Sequence, residues 1–162
     1  MQNPLYAGVW YGDWSEETRK PSNVDVSRGL VVSPYELEAM AASAAGVAVT
    51  YEHSAMKTLS RSALGKERHA VSQDKTVVGI VKAAWVCKKT GHAHAVFELY
   101  KNLRPAVCAL VESKFITGLS ATHIVGSEEM VELSLTRSPA RPKCQIAGRV
   151  MSITDYISEH PP

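Results

Sequence analysis

Short segments rich in valine, isoleucine, leucine and aromatic residues, each closed by turn-forming residues, recur along this chain and constrain its fold more than any other feature. Residues 5–14 carry Tyr6, Val9, Trp10, Tyr11 and Trp14 and read as a strand with a mobile end. Residues 47–52 alternate as a strand that ends at His53. Residues 76–87 and 92–100 flank Lys88-Lys89-Thr90-Gly91, the pattern of a hairpin. Residues 117–125 and 130–137 form two more strands joined around Gly126-Ser127, and residues 145–153 form the last. Two helices fit between them. Ser33-Pro34-Tyr35-Glu36 has the spacing of a capping box, with Pro34 at the first helical position. Leu37, Met40, Ala41 and Ala44 then make one apolar stripe, and Gly46 supplies a left-handed stop. Pro105 opens the second helix, with Val107, Leu110 and Val111 on one face. Residues 15–23 read as a loop. So do residues 56–73, where Lys57, Arg61, Lys66 and Arg68 stand against Glu67. The expected fold is mainly β (α+β), an antiparallel β-barrel with a few surrounding helices. It forms one domain over 1–158, with a loose tail at 159–162.

Composition narrows the function classes. A chain of 162 residues, 45% hydrophobic and 21% charged, can bury a core without metals or disulfides. No apolar run approaches the ~18 residues of a membrane span, and the N-terminus lacks the zones of a secretory signal. Neither membrane insertion nor secretion is expected. A net charge of +2, from 18 basic and 16 acidic residues, argues against nucleic-acid binding by bulk charge. Cys87, Cys108 and Cys144 are odd in number and far apart, fitting neither a disulfide framework nor a zinc knuckle, and point to a reducing compartment.

Six histidines and many serines permit many accidental triads, and spacing alone does not choose among them. Local context singles out two residues. His53 closes an alternating strand, and Ser120 sits in Gly118-Leu119-Ser120-Ala121, where small residues would clear room for a substrate carbonyl. A hydroxyl is a poor nucleophile until a base takes its proton, and neutral imidazole, with a pKa near ~6.5, suits that task. The plainer alternative makes His53 a strand terminator and Ser120 a small strand residue.

Four segments, in order, resemble the herpesvirus assemblins, the serine proteases of capsid maturation, and their distant relatives the prohead proteases of tailed phages. They are Pro4-Leu5-Tyr6-Ala7-Gly8-Val9-Trp10, Val47-Ala48-Val49-Thr50-Tyr51-Glu52-His53, Thr76-Val77-Val78-Gly79-Ile80-Val81 and Gly118-Leu119-Ser120, followed by the strand that ends near Arg137. The likeness spans about residues 4–150. It implies Ser120 as nucleophile and His53 as general base. Assemblins place a second histidine on the strand after the serine. The corresponding residue here is Glu132, a departure toward the phage branch, and a carboxylate can accept the imidazole's other N–H and stabilise the imidazolium.

Alternatives stand beside each assignment. His123 competes as third member, but regular alternation puts it on the face opposite Ser120 unless a bulge intervenes. His69 competes as base from within a polar segment. His53 itself shares parity with Val47, Val49 and Tyr51, so a register change before it is required to keep it off the core face. The resemblance implies an oxyanion site in the loop after the third-member strand, here Arg141 with the backbone N–H of Ala140, and Arg137 as the alternative. His92 and His94 are a formal metal pair, although two exposed histidines on a hairpin explain them as well.

The resemblance implies a serine endopeptidase that cleaves a capsid scaffold protein and its own precursor inside the assembling procapsid in the host cell. It implies a homodimer and no metal or cofactor. The rival reading is a non-catalytic β-barrel module that binds a partner in a viral particle.

Overall fold

Strands β1, β4 and β6 are buried along nearly their whole length, so both faces of the sheet are covered there, and its outer face positions the site. The computed structural model describes residues 2–12, 33–63, 65–123, 128–139, 141 and 143–162. Its elements are β1 (Leu5–Tyr11), α1 (Pro34–Ser43), β2 (Ala48–Tyr51), α2 (Met56–Arg61), α3 (Glu67–Ser72), β3 (Gly79–Val86), β4 (Ala93–Leu99), α4 (Pro105–Glu112), β5 (Gly118–His123), β6 (Met130–Thr136), β7 (Ile146–Val150) and α5 (Ile153–Glu159). Trp14, the polar stretch 15–23 and the Gly126-Ser127 junction lie outside the described residues.

The seven strands form one sheet in the order β5-β6-β2-β3-β4-β1-β7. The sheet is mixed, not purely antiparallel as the sequence suggests. β2 and β6 run parallel, with Val49 opposite Leu133, Thr50 opposite Ser134 and Tyr51 opposite Leu135. A parallel neighbour needs a long crossover, and the intervening helices, hairpin and β5 supply it. The sheet curls until its two edge strands meet at a single bridge, Gly118 with Gln145. Leu119 N–H donates to Cys144 O at 2.9 Å, and Ile146 N–H to Thr117 O at 2.7 Å, on either side of that bridge.

The concave face is the core. Tyr6, Trp10, Val47, Val49, Phe97, Leu119, Leu133 and Leu135 pack there with Leu37, Met40 and Ala41 of α1. Each valine, leucine, methionine or phenylalanine there contributes roughly 1.5–3 kcal/mol on full burial. Ser33 caps α1 by accepting the Glu36 N–H at 3.2 Å, and Gly46 follows at φ +87° with its N–H on Val81 O at 2.8 Å. Cys108 and Val111 of α4 are buried in the same cluster, and Val107 and Leu110 pack against it, so the apolar stripe of α4 faces the sheet.

Three local expectations change. Residues 56–73 are not a loop; α2 and α3 bury Leu59 and Val71 against Ala48, Ala55 and Val131. A sparse apolar residue on each short helix suffices because the outer face of β2 and β6 receives both. Ser152 accepts the Asp155 N–H at 3.1 Å and starts α5, which buries Tyr156. Residues 159–162, expected as a loose tail, are anchored there. Trp85 Nε1 donates to His160 O at 2.6 Å, and Lys88 N–H to Pro161 O at 3.1 Å. The three cysteines are free thiols, all buried. Among the described residues no helix is long and apolar enough to cross a membrane.

Candidate active site

The site begins with register. In the antiparallel β5–β6 ladder, Thr122 lies opposite Glu132 and Ser120 opposite Ser134. Directly opposed residues share a sheet face, as do residues two apart on one strand. Ser120, Thr122, Glu132 and Ser134 therefore line one face. Thr50 joins them from β2, opposite Ser134. Leu119, Leu133, Leu135 and Val49 point the other way, into the core. A row of hydroxyls and one carboxylate thus occupies the convex side of the sheet.

His53 reaches that side through a change in backbone conformation. Continued alternation would turn it toward the core with Val47 and Val49. Instead Glu52 has φ +50° and His53 φ +54°. Consecutive left-handed non-glycine residues cost on the order of 1–3 kcal/mol each and persist only where the surroundings hold them. Here Glu52 N–H donates to Leu135 O at 2.8 Å, His53 N–H to Ser134 Oγ at 2.8 Å, and Met56 N–H to His53 O at 3.0 Å. The required register change is present, and these bonds fix it.

The imidazole Nδ1 lies 2.5 Å from Glu132 Oε1. Glu132 is fully buried. Thr122 Oγ1 donates to its Oε1 at 2.9 Å and Thr50 Oγ1 to its Oε2 at 2.8 Å. Thr122 Oγ1 is also 3.4 Å from His53 Nδ1. Burial alone would push the Glu132 carboxyl upward in pKa. The bonds from His53, Thr50 and Thr122 outweigh that and hold it below the usual carboxylate range. The bond to Glu132 raises His53 above ordinary imidazole, against the opposing pull of burial. A carboxylate on Nδ1 sets the tautomer with its proton there and leaves Nε2 as the proton acceptor.

Ser120 is half-buried and stands two residue pairs along the ladder from Thr122 and Glu132, the next position on the same face. Gly118 does not leave open space for a substrate carbonyl. A Cβ at Gly118 would lie 2.6 Å from both Cδ and Cγ of Pro139. The glycine lets the segment after β6 seat against the strand that carries Ser120.

The expected oxyanion residues separate. Arg137 N–H donates to Glu52 Oε1 at 2.7 Å, its Nε lies 3.5 Å from the same oxygen, and its guanidinium carbon is 5.5 Å from the Phe115 ring centroid. Arg137 thus sits beside the residue that precedes His53. The Arg141 guanidinium carbon lies 4.6 Å from the ring centroid of Tyr11. Ala140 lies outside the described residues. The ladder shifts between Thr122 and His123, which pairs with Met130. Burial lowers the His123 pKa, with Glu36 and Arg141 as its charged neighbours, while the nitrogen of His53 goes to Glu132.

His69 lies exposed on α3. His92 and His94 are buried, not exposed on a hairpin. His94 Nδ1 is 2.9 Å from Tyr156 Oη, and its ring stacks on His160 at 4.5 Å between centroids. Burial pushes the His94 pKa down to about 4. Among the described residues no group of three or more His, Cys, Asp or Glu is arranged to hold a metal ion.

Thr50, Thr122, Ser134 and Glu52 escape a search for triads. Thr122 and Ser134 were findable as polar residues at period two, in Ser120-Ala121-Thr122 and Glu132-Leu133-Ser134, which predicts a polar outer face. Against known proteins, no family model and no curated protein matches the chain.

Proposed function

We propose that this protein is a serine endopeptidase in which Ser120 is the nucleophile, His53 the general base and Glu132 the third member. The observation that carries the reading is the buried Glu132 carboxylate bound to His53 Nδ1 at 2.5 Å on the face that bears Ser120. A buried carboxylate with three donors, set against an imidazole on a strained turn, is what orienting a base requires.

In the proposed reaction, His53 Nε2 takes the Ser120 Oγ proton as the oxygen attacks the scissile carbonyl. Glu132 stabilises the imidazolium that forms. The tetrahedral oxyanion is met by donors from the segment that begins at Arg137, for which Arg137, Ala140 and Arg141 are the candidates. Collapse expels the amine, which takes the proton from His53. Water then attacks the acyl-enzyme with His53 again as base, and this releases the acid and restores Ser120. No metal or cofactor enters these steps.

The assemblin resemblance of the segments around Tyr6, His53, Gly79 and Ser120 supports the substrate class. We propose a capsid scaffold protein and the protease's own precursor, cleaved inside an assembling procapsid by a homodimer in an assemblin-like fold. Mass spectrometry of a precursor extended beyond Pro162 tests this. The wild type should process itself at a defined bond, and Ser120→Ala should remain intact. Equal processing of both would overturn the proposal.

A further inference from the structure

We propose that Glu52 is a positioning residue that ties the His53 turn to the Arg137 segment and so fixes the base relative to the wall of the site. This rests on the reading of His53 and Ser120 as base and nucleophile. The β2–β6 ladder ends at Tyr51 opposite Leu135. Glu52 extends the connection past that end. Its backbone N–H donates to Leu135 O, its Oε2 accepts from Thr136 Oγ1 at 3.4 Å, and its Oε1 accepts from Arg137 N–H at 2.7 Å. One residue thus holds three consecutive residues at the end of β6 and just beyond it. Thr136 Oγ1 in turn accepts the Ser138 N–H at 3.1 Å.

The far end of the same segment is fixed independently. Pro139 fills the space that a side chain at Gly118 would take, two residues before Ser120. Residues 137–139 therefore bridge from the His53 strand to the Ser120 strand, held by Glu52 at one end and by Gly118 at the other. An exposed turn at φ +50° favours glycine or asparagine, which a glutamate is not. The carboxylate's bonds to Thr136 and Arg137 offset the strain of that conformation and hold the next residue, His53, in its own left-handed state.

Glu52 also acts through charge. Glu132 and Glu52 are the two carboxylates whose charge favours protonated His53, and Arg137 is the cation paired with Glu52. Substitution at Glu52 therefore has two separable effects. Glu52→Gly suits the left-handed backbone, keeps the fold and removes both the anchor and the charge. Glu52→Gln keeps an oxygen that accepts the Arg137 N–H but removes the charge.

The test combines amide exchange at Arg137, NMR titration of the His53 imidazole, and peptide cleavage. In Glu52→Gly, Arg137 exchange should rise about tenfold or more, His53 should titrate lower than in wild type, and kcat should fall by about tenfold or more with KM little changed. Glu52→Gln should restore Arg137 protection and most of kcat while His53 still titrates low. A folded Glu52→Gly with wild-type Arg137 exchange and wild-type His53 titration would overturn the proposal. If wild-type Ser120 does not react with a fluorophosphonate, the protease reading fails instead, and the exchange and titration results still decide the anchor.

Discussion

His53 Nδ1 and Glu132 Oε1 stand 2.5 Å apart, with the carboxylate fully buried and the imidazole about one-third exposed. The asymmetry suits a base: the orienting group is withdrawn from water, while the ring keeps an open side for proton transfer. Thr50 and Thr122 hold the carboxylate in place, so the pair depends on three strands rather than on two flexible side chains.

Neutralising the acid should separate orientation from folding. Glu132→Gln should lose on the order of 10²–10⁴ in turnover, by analogy with other triads, while far-UV circular dichroism stays that of wild type. His123→Ala and His69→Ala should keep most activity, since neither ring occupies the Glu132–His53 contact. Steady-state kinetics on the three variants decides this. If His123→Ala were the most damaging, the third member would be His123.

Activity should rise with pH, because only neutral His53 takes the serine proton. The bond to Glu132 raises the imidazole, so the acid limb of kcat/KM should lie above the ordinary value near ~6.5. In Glu132→Gln the limb should move to lower pH as the remaining rate is followed. Stability should run differently. The raised His53 contributes below its unfolded pKa and loses that contribution as pH rises through the folded value. The depressed Glu132 contributes above its unfolded pKa and loses it as pH falls through the folded value. The stability gap between wild type and Glu132→Gln should be widest between about pH 4.3 and 6.5. Thermal melts across that range measure it; a gap constant from weak acid to pH 9 would contradict the coupling.

Gly118→Ala should damage the site more than the fold. Its Cβ would press on the Pro139 ring at 2.6 Å and push the segment beginning at Arg137 away from Ser120. A displacement near ~1 Å can cost about a hundredfold in rate. Gly79→Ala is the contrast, because its Cβ would meet the Glu98 backbone oxygen at 2.1 Å, between two strands that cannot part. That variant should lose roughly 1–3 kcal/mol of stability. Activity and denaturant melts on the two glycine variants should show the opposite ranking of effects.

The strands at β3, β4 and β6 and the capped helix α1 were legible because apolar segments closed by turn residues, and helix capping, are local signals that tertiary packing did not override. The parallel pairing of β2 with β6 was not, because strand order depends on which distant segments meet. α2 and α3 were hidden by composition. Their charged residues suggest a loop, and each helix buries one principal side chain, Leu59 or Val71. α5 carried a readable signal, Ser152 three residues before Asp155. At the site, parity set His123 on the face opposite Ser120 and called for a register change at His53; that Ser120 and Glu132 share a face depends on the β5–β6 pairing, which alternation within one strand does not give. Parity did not say that Glu52 and His53 would both be left-handed, which depends on Leu135 and Ser134 across the sheet. Nor did it show that Gly118 makes room for Pro139, a contact between residues 21 apart in sequence.

If the active form is a homodimer, specific activity should rise with protein concentration and then saturate. The apolar stripe of α4 is used by the core, so substitutions at Val107 or Val111 should weaken folding before they weaken pairing. Sedimentation beside activity over a hundredfold dilution checks both. A monomer with constant specific activity would remove the dimer and leave the triad intact.

Labelling by a fluorophosphonate probe shows whether Ser120 is a nucleophile activated by His53. Wild-type protein should be labelled at Ser120, as read by peptide mass spectrometry, at a rate that climbs with pH through the His53 titration. Ser120→Ala should take no label, and His53→Ala and Glu132→Gln should be labelled far more slowly. Labelling at another serine would move the nucleophile away from Ser120, and equal labelling of wild type and His53→Ala would remove His53 as its base.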